Sequence, residues 1–335
     1  MGQLITEDLF QKILVEPIQR GARELFVVTG YASPAMVTRH FQYAVENLGT
    51  KISLDLHVGM TGKDGLRRTE LLGYQAIPRQ SREQEFNCTF STRGHSNHSK
   101  LFVWCSKSGP VEAFLGSSNY TQVGFGLSPS DKFHSETCVM VDPDEAFSYV
   151  LGAAKGSIGY LDRDIASHID LTEDPTPESL ILSEENDQSA QIDFVYLPLV
   201  QSRGQNAGRV HDAGGLNWGQ REGREPNQAY IPVPSEVARS EFFPEKGVHF
   251  QITTDDGQAF ICTVAQSGNK AIETPSDNSI LGKYFRNRLG VSLGTYVTDA
   301  DLSRFGATAI KISKINHDSF RLDFAPGMFY SPDLP

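Results

Sequence analysis

His98, Lys100, Ser117 and Asn119 are side chains whose types suit one task, the handling of a phosphate group. An imidazole can attack phosphorus as a nucleophile. An ammonium, a hydroxyl and a carboxamide can hold the charge that builds on the other oxygens. Their spacing lets them meet. His98-Ser99-Lys100 enters an apolar run, Leu101–Trp104. A turn at Ser108-Gly109-Pro110 leads to a second apolar run, Val111–Leu115, which leaves through Gly116-Ser117-Ser118-Asn119. Two strands joined by a Gly-Pro turn form a hairpin. A hairpin sets the end carrying His98 and Lys100 beside the end carrying Ser117 and Asn119.

H-x-K followed after a hairpin by G-S-x-N resembles the phospholipase D superfamily, whose pattern is H-x-K-x-x-x-x-D with G-S-x-N downstream. His98, Lys100, Gly116, Ser117 and Asn119 match; the Asp position is held by Cys105. In the nuclease branch of that superfamily a Glu on the next strand often completes the site. Ser135–Val141 looks like that strand, so the resemblance implies Glu136 as the fifth residue.

The elements that must position these residues alternate. Glu7–Arg20 is expected to be helical, with Leu9, Ile13, Leu14 and Ile18 along one side. Glu24–Gly30 reads as a buried strand, and Pro34–Leu48 as a helix entered at Ser33-Pro34. Lys51–Gly59 is a strand. The hairpin follows after a polar stretch, then a strand Glu136–Val141 and a helix over about Pro143–Tyr160. Such alternation predicts an α/β layered domain over residues 1–165. It agrees with the α/β sandwich that the phospholipase D resemblance implies.

Residues 166–192 read as an acidic linker. Asp162 to Asp193 holds ten Asp or Glu against one Arg, with Pro175-Thr176-Pro177 inside. The plain reading is an exposed connecting segment. The sharper one is an acidic decoy that occupies a basic groove until DNA displaces it.

From 193 to 335 the character changes to a mostly β domain. Strands are expected at Phe194–Val200, Tyr230–Val233, Gly247–Thr254, Gln258–Ala265, Ala309–Ile315 and Phe320–Phe324. Helices are expected at Ser235–Phe242 and Ile280–Leu289, the latter capped by Ser279. Residues 201–228 are rich in Gly, Asn, Gln and Arg and are expected to form a loop without a core. Their side chains are of the kinds that read base edges, Arg for guanine and Asn or Gln for adenine. Trp218 is costly to leave idle in solvent. A second polar loop runs from Gln266 to about Ser279.

Gly215-Leu216-Asn217-Trp218-Gly219-Gln220-Arg221, followed by Arg224-Glu225-Pro226-Asn227, resembles the B3-like DNA-binding domain of the BfiI and NgoFVII group of restriction endonucleases. In that fold a curved pseudobarrel grips the major groove with two arms, here about 201–228 and 266–279. The resemblance implies DNA contacts from Arg203, Gln205, Asn206, Arg209, Asn217, Trp218, Gln220, Arg221 and Arg224 on the first arm. It implies Asn269 and Lys270 on the second arm, and Lys283 on the helix that follows.

Bulk properties bound the rest. A chain of 335 residues suggests two domains, and a net charge of −11 excludes a globally basic nucleic-acid binder, so any grip on DNA is local. Four scattered cysteines without a C-x-x-C pair speak against a zinc or disulfide framework and fit a reducing bacterial cytoplasm. No apolar run is long enough to span a membrane.

The resemblance implies a restriction endonuclease that works through a phosphohistidine, with no metal or other cofactor. That chemistry needs two H-x-K units, and the chain has one: His211, His249 and His317 lack the following x-Lys. The expected unit is therefore a homodimer on double-stranded DNA. A cognate methyltransferase and a helicase-like ATPase are the neighbours that the resemblance implies. The alternatives are a DNA-binding protein whose nuclease half is silent or partner-dependent, and a lipid or small-ester phosphodiesterase. Intact Lys100 and Asn119 oppose the silent-nuclease reading, and the polar arms oppose a lipid substrate.

Overall fold

The computed structural model describes residues 4–127, 135–173 and 194–330. The chain divides into two compact units, residues 1–173 and 174–335.

The first unit is built on one eight-stranded sheet. Its strands are β1 (Leu4–Ile5), β2 (Glu24–Thr29), β3 (Ser53–Val58), β5 (Glu85–Phe90), β6 (Leu101–Ser106), β7 (Gly109–Gly116), β8 (Cys138–Val141) and β9 (Ile158–Gly159), in the order β1-β8-β7-β6-β2-β3-β5-β9. β2, β3 and β5 are parallel, and β6, β7 and β8 form an antiparallel meander beside them. Alternate residues of β6 enter two cores. Phe102 and Trp104 face the helices Pro34–Leu48 and Arg68–Gln80, while Leu101, Val103 and Cys105 face the helix Pro143–Ala153. The sheet is thus buried on both faces, which is why its strands read as continuous apolar runs. This is the α/β sandwich expected.

The helix Pro34–Leu48 forms as predicted, with the Ser33 side chain accepting from Met36 N and Pro34 at the first turn. The N-terminal helix begins as a π-helical stretch, Phe10–Val15, and continues α-helical over Glu16–Gln19. The helix expected over Pro143–Tyr160 ends at Ala153, and Ile158-Gly159 pairs with β5 instead. Residues 166–173, expected in the linker, pack on the first unit. Leu171-Thr172 (β10) pairs in parallel with Leu66-Arg67 (β4), and Arg93 holds Ser167 O at 2.6 Å and Asp170 at 2.7 Å. The remainder of the acidic segment lies outside the described residues.

The second unit is a seven-stranded sheet: β11 (Phe194–Pro198), β12 (Ile231–Pro232), β13 (His249–Thr254), β14 (Ala259–Ala265), β15 (Ala271–Glu273), β16 (Ala309–Lys314) and β17 (Ser319–Asp323). Their order is β11-β16-β17-β13-β14-β15-β12. The two edge strands, β11 and β12, lie against each other, so the sheet curls into a nearly closed barrel around Phe250, Ile252, Phe320 and Leu322. This agrees with a B3-like pseudobarrel.

Residues 201–228 do form part of a core, contrary to the sequence expectation. Val210 and Leu216 join it, and Gly215–Gln220 winds into a 3-10 helix. Gly219 permits this fold, since a methyl there would stand 2.3 Å from Glu225 O. The second arm is also shorter than expected, because β15 occupies Ala271–Glu273. Ser279 is not the cap of the helix Ser279–Leu289. Asn278 holds that position, and the Ser279 hydroxyl accepts from Lys283 Nζ at 2.9 Å.

Candidate active site and nucleic-acid interface

The topology sends four chain segments to one end of the first sheet. Val28 pairs with Leu101, Leu101 with Leu115, and Gly116 with Cys138. The residues just after β2, just before β6, just after β7 and just before β8 therefore meet at the carboxyl ends of β2, β3 and β5. Crevices outside the carboxyl ends of parallel strands are where open α/β sheets bind ligands.

His98 stands exposed at this end. Its ring lies over Gly30: a methyl on Gly30 would be 2.7 Å from His98 Cδ2. Tyr31 meets the ring edge-on at 6.0 Å. Among the described residues no hydrogen bond engages the imidazole. Lys100 is only 7% exposed, and its ammonium donates to His98 O at 2.8 Å. Burial lowers the Lys100 pKa from its ordinary value, and the charge of Glu136 acts to raise it. Those opposing effects place Glu136 within electrostatic reach of Lys100.

Ser117 and Glu136 are bonded directly, hydroxyl to carboxylate, and Thr137 N donates to Ser117 Oγ at 3.0 Å. The Asn119 carboxamide oxygen accepts from Tyr31 N at 3.2 Å and lies 3.3 Å from the Thr29 hydroxyl. With the oxygen so held, the Asn119 NH2 is the end left to face a ligand. The structure therefore brings His98, Lys100, Ser117, Asn119 and Glu136 to one end of one sheet. Glu136 grips Ser117.

Cys105, at the position of the missing Asp, lies elsewhere. It is five residues along β6 from Lys100, about 16 Å at strand rise, buried opposite Glu24. A carboxylate there would not reach the phosphate site, so the departure removes nothing from it.

Sequence reasoning missed Tyr149. Its hydroxyl sits 2.8 Å from Ser99 Oγ and 3.1 Å from Asn97 Nδ2, fastening both neighbours of His98 to the helix Pro143–Ala153. No motif announces it. Among the described residues no group of three His, Cys, Asp or Glu side chains could hold a metal ion.

The second unit sorts its expected DNA contacts. Residues 201–209 form a compact turn in which Gly208 N donates to Gln201 O at 2.8 Å and Gln201 N to Arg209 O at 2.8 Å. Arg203, Gln205, Asn206 and Arg209 project from it, exposed. Lys270 is exposed and Asn269 half-buried at the β14–β15 turn, Asn269 with φ of 56°. Arg221 is tied by Nε to Ala213 O at 2.6 Å, and Arg224 stacks over Trp218 at 3.8 Å. Both residues are exposed.

Asn217 is corrected to a structural role, and Gln220 is half-buried with its amide nitrogen bonded inside the unit. Asn217 is 2% exposed, giving Nδ2 to Val297 O at 2.8 Å and taking Val297 N at 2.9 Å. Gln220 gives its Nε2 to Pro226 O and Gly294 O. Lys283 is half-buried against Ser279. The helix around it is not a solvated basic face: Arg286 is wholly buried on Thr295 O, and Arg288 pairs with Asp255 at 2.6 Å. Among the described residues no helix is long and apolar enough to cross a membrane.

Comparison with known proteins bears on both units. Residues 7–163 match the NgoFVII restriction endonuclease N-terminal PLD domain, and residues 190–316 match the NgoFVII C-terminal B3-like DNA-binding domain. A search of curated proteins found no match. Among solved structures, NucT from Helicobacter pylori is similar at 14% identity and a TM-score of 0.32, over 48% of this chain and 98% of NucT. A polyphosphate kinase from Porphyromonas gingivalis is similar at 16% identity and a TM-score of 0.29, over 45% of this chain and 21% of the kinase. A variant of yeast tyrosyl-DNA phosphodiesterase follows at 13% and 0.27, over 62% of this chain and 55% of that one. These likenesses are too distant to carry an argument. The two family matches run over most of residues 7–316, and on them the chain belongs to the NgoFVII-type restriction endonucleases, a phospholipase D-type nuclease domain joined to a B3-like DNA-binding domain.

Proposed function

We propose that this protein cuts double-stranded DNA at a sequence selected by its second unit, through a covalent phosphohistidine and without a metal ion. The observation that carries the reading is the convergence of His98, Lys100, Asn119 and the Ser117–Glu136 pair at one sheet end.

His98 attacks the scissile phosphorus through a ring nitrogen, forming a P–N bond as the P–O bond to the leaving strand breaks. The charge on the remaining phosphoryl oxygens is met by the Lys100 ammonium and the Asn119 NH2. Ser117, donating a hydrogen bond to Glu136, holds that carboxylate near Lys100, where its charge keeps the cation protonated. The leaving oxygen needs a proton from a second imidazole, and later a water must be activated against the P–N bond. One chain has no second H-x-K, so the partner subunit's His98 supplies that group in a homodimer.

Mixing wild type with excess His98→Ala protein under conditions of subunit exchange tests this. A composite site loses activity as mixed dimers form. Activity that merely follows the amount of wild type contradicts it. A cognate methyltransferase and a helicase-like ATPase remain the partners to assay beside it, and the bacterial cytoplasm is the expected setting.

A further inference from the structure

The second unit holds a recess of about 260 Å³ whose wall includes Pro198, Pro232 and Pro234 and whose polar side chains are Gln201, Ser202, Arg203, His211 and Tyr230. The first arm lines it through Gln201, Ser202, Arg203 and His211. Arg203 belongs to the exposed 201–209 turn. On the other side, Val233 N donates to the carbonyl of Lys270, which closes the β14–β15 turn. A duplex held by the first arm would run beside the recess.

Its polar groups are free to bind something. Ala213 N donates to His211 Nδ1 at 3.0 Å, so the neutral ring carries its proton on Nε2. Among the described residues the Tyr230 hydroxyl has no hydrogen-bond partner. Arg203 lies 3.6 Å from Glu236, between two exposed side chains, an ion pair that is easily given up. The Tyr230 ring is held in place from behind: Trp218 packs edge-on against it at 5.5 Å, and Arg224 covers Trp218. The polar corner exists because residue 214 is glycine. A methyl there would stand 3.0 Å from the Tyr230 hydroxyl and 3.1 Å from the His211 ring.

The volume falls below the roughly 300–1,000 Å³ of pockets for drug-sized ligands and suits a single heteroaromatic ring. Flat proline C–H surfaces can cover its faces, and donors from Tyr230, His211 and Arg203 can meet carbonyl oxygens or ring nitrogens on its edge. A base paired inside a duplex cannot enter a recess; it must rotate out. We propose that this recess takes one base swung out of the bound duplex. In this account Trp218 buttresses the recess rather than touching DNA. The inference rests on the reading of the second unit as the DNA-selecting one.

The test uses the full chain. A duplex is recovered from a random library by binding, and its bases are replaced one at a time by 2-aminopurine, which brightens on unstacking. The expected result is one position that brightens on binding. A mismatch at that position should tighten binding by about tenfold, because the pairing cost is already met. Gly214→Val, which fills the polar corner, should abolish the brightening. Tyr230→Phe, which keeps the ring on Trp218, should reduce it and carries the test if Gly214→Val does not fold.

A recovered duplex that binds with no bright position overturns the recess and leaves the DNA reading intact. Brightening unchanged in both variants also overturns it. Failure to recover any duplex takes both inferences down.

Discussion

The Ser117 hydroxyl donates to the Glu136 carboxylate, tying the turn that leaves β7 to the segment that enters β8. A hydroxyl has one proton to give. Spent on Glu136, it is not offered to a phosphate, so Ser117 acts on the reaction through the carboxylate and through the charge that Glu136 presents to Lys100.

Glu136→Gln keeps an acceptor for Ser117 and removes the charge. Without that negative neighbour the Lys100 ammonium is less favoured and its pKa falls. The alkaline limb of the pH–rate profile for DNA cleavage should move to lower pH, with kcat down by about tenfold to a hundredfold. An unmoved limb would mean that Glu136 does not act through Lys100.

Gly30→Ala puts a methyl 2.7 Å from His98 Cδ2, and the ring must move. Misplacing a nucleophile by about 1 Å costs on the order of a hundredfold in rate. Cleavage should fall by that order, while thermal melting and DNA affinity stay near wild type. Full activity in this variant would show that His98 is not held over β2 during the reaction.

Asn217→Ala and Arg209→Ala separate structural from DNA-facing residues of the first arm. Asn217→Ala leaves the Val297 backbone N–H and C=O without their buried partners and should cost about 2–3 kcal/mol in denaturant unfolding. Arg209→Ala should leave stability unchanged, weaken DNA binding, and reduce the slope of log K against log salt by about one. Unaltered stability in Asn217→Ala would return that residue to the pool of base readers.

His40 and His57 make the nuclease unit acid-sensitive. Burial lowers the pKa of each from 6.5 to about 4. The folded unit refuses a proton that the unfolded chain accepts below pH 6.5. The stability is thus complete above 6.5 and is lost as pH falls through the window from 6.5 to about 4, on the order of 3 kcal/mol for each ring. Urea midpoints followed from pH 7.5 to 4.5 should drop, while NMR shows these two rings untitrated in the folded state. Rings that titrate near 6.5 in the folded protein would contradict this.

What was legible in the sequence is what local chemistry decides. Ser33-Pro34 fixed a helix start that the structure keeps, and the Gly-Pro turn fixed the hairpin that joins His98 to Asn119. The helix Arg68–Gln80 was hidden because it carries Gly73 and Pro78 and a polar outer face. Glu85–Phe90 was hidden by Asn87 and Thr89, which are tolerated on a strand that neighbours β3. Asp299–Phe305 has its signal in the Thr298–Asp301 capping box, where Asp stands in place of the usual Glu or Gln. The first arm misled for a different reason. Its order comes from long-range partners, such as Asn217 on Val297, eighty residues away, and no local pattern encodes these. Tyr149 was invisible in the same way, since it reaches Ser99 across fifty residues.

The central claim is that His98 attacks DNA phosphorus without help from a metal. The most direct measurement incubates plasmid or phage DNA in EDTA with wild type and with His98→Ala, adding Mg-ATP and the neighbouring gene products in a parallel series. Discrete fragments from wild type alone, with a protein–DNA adduct trapped on denaturation, are the predicted result. Cleavage that survives His98→Ala, or that EDTA abolishes in wild type, would contradict the account.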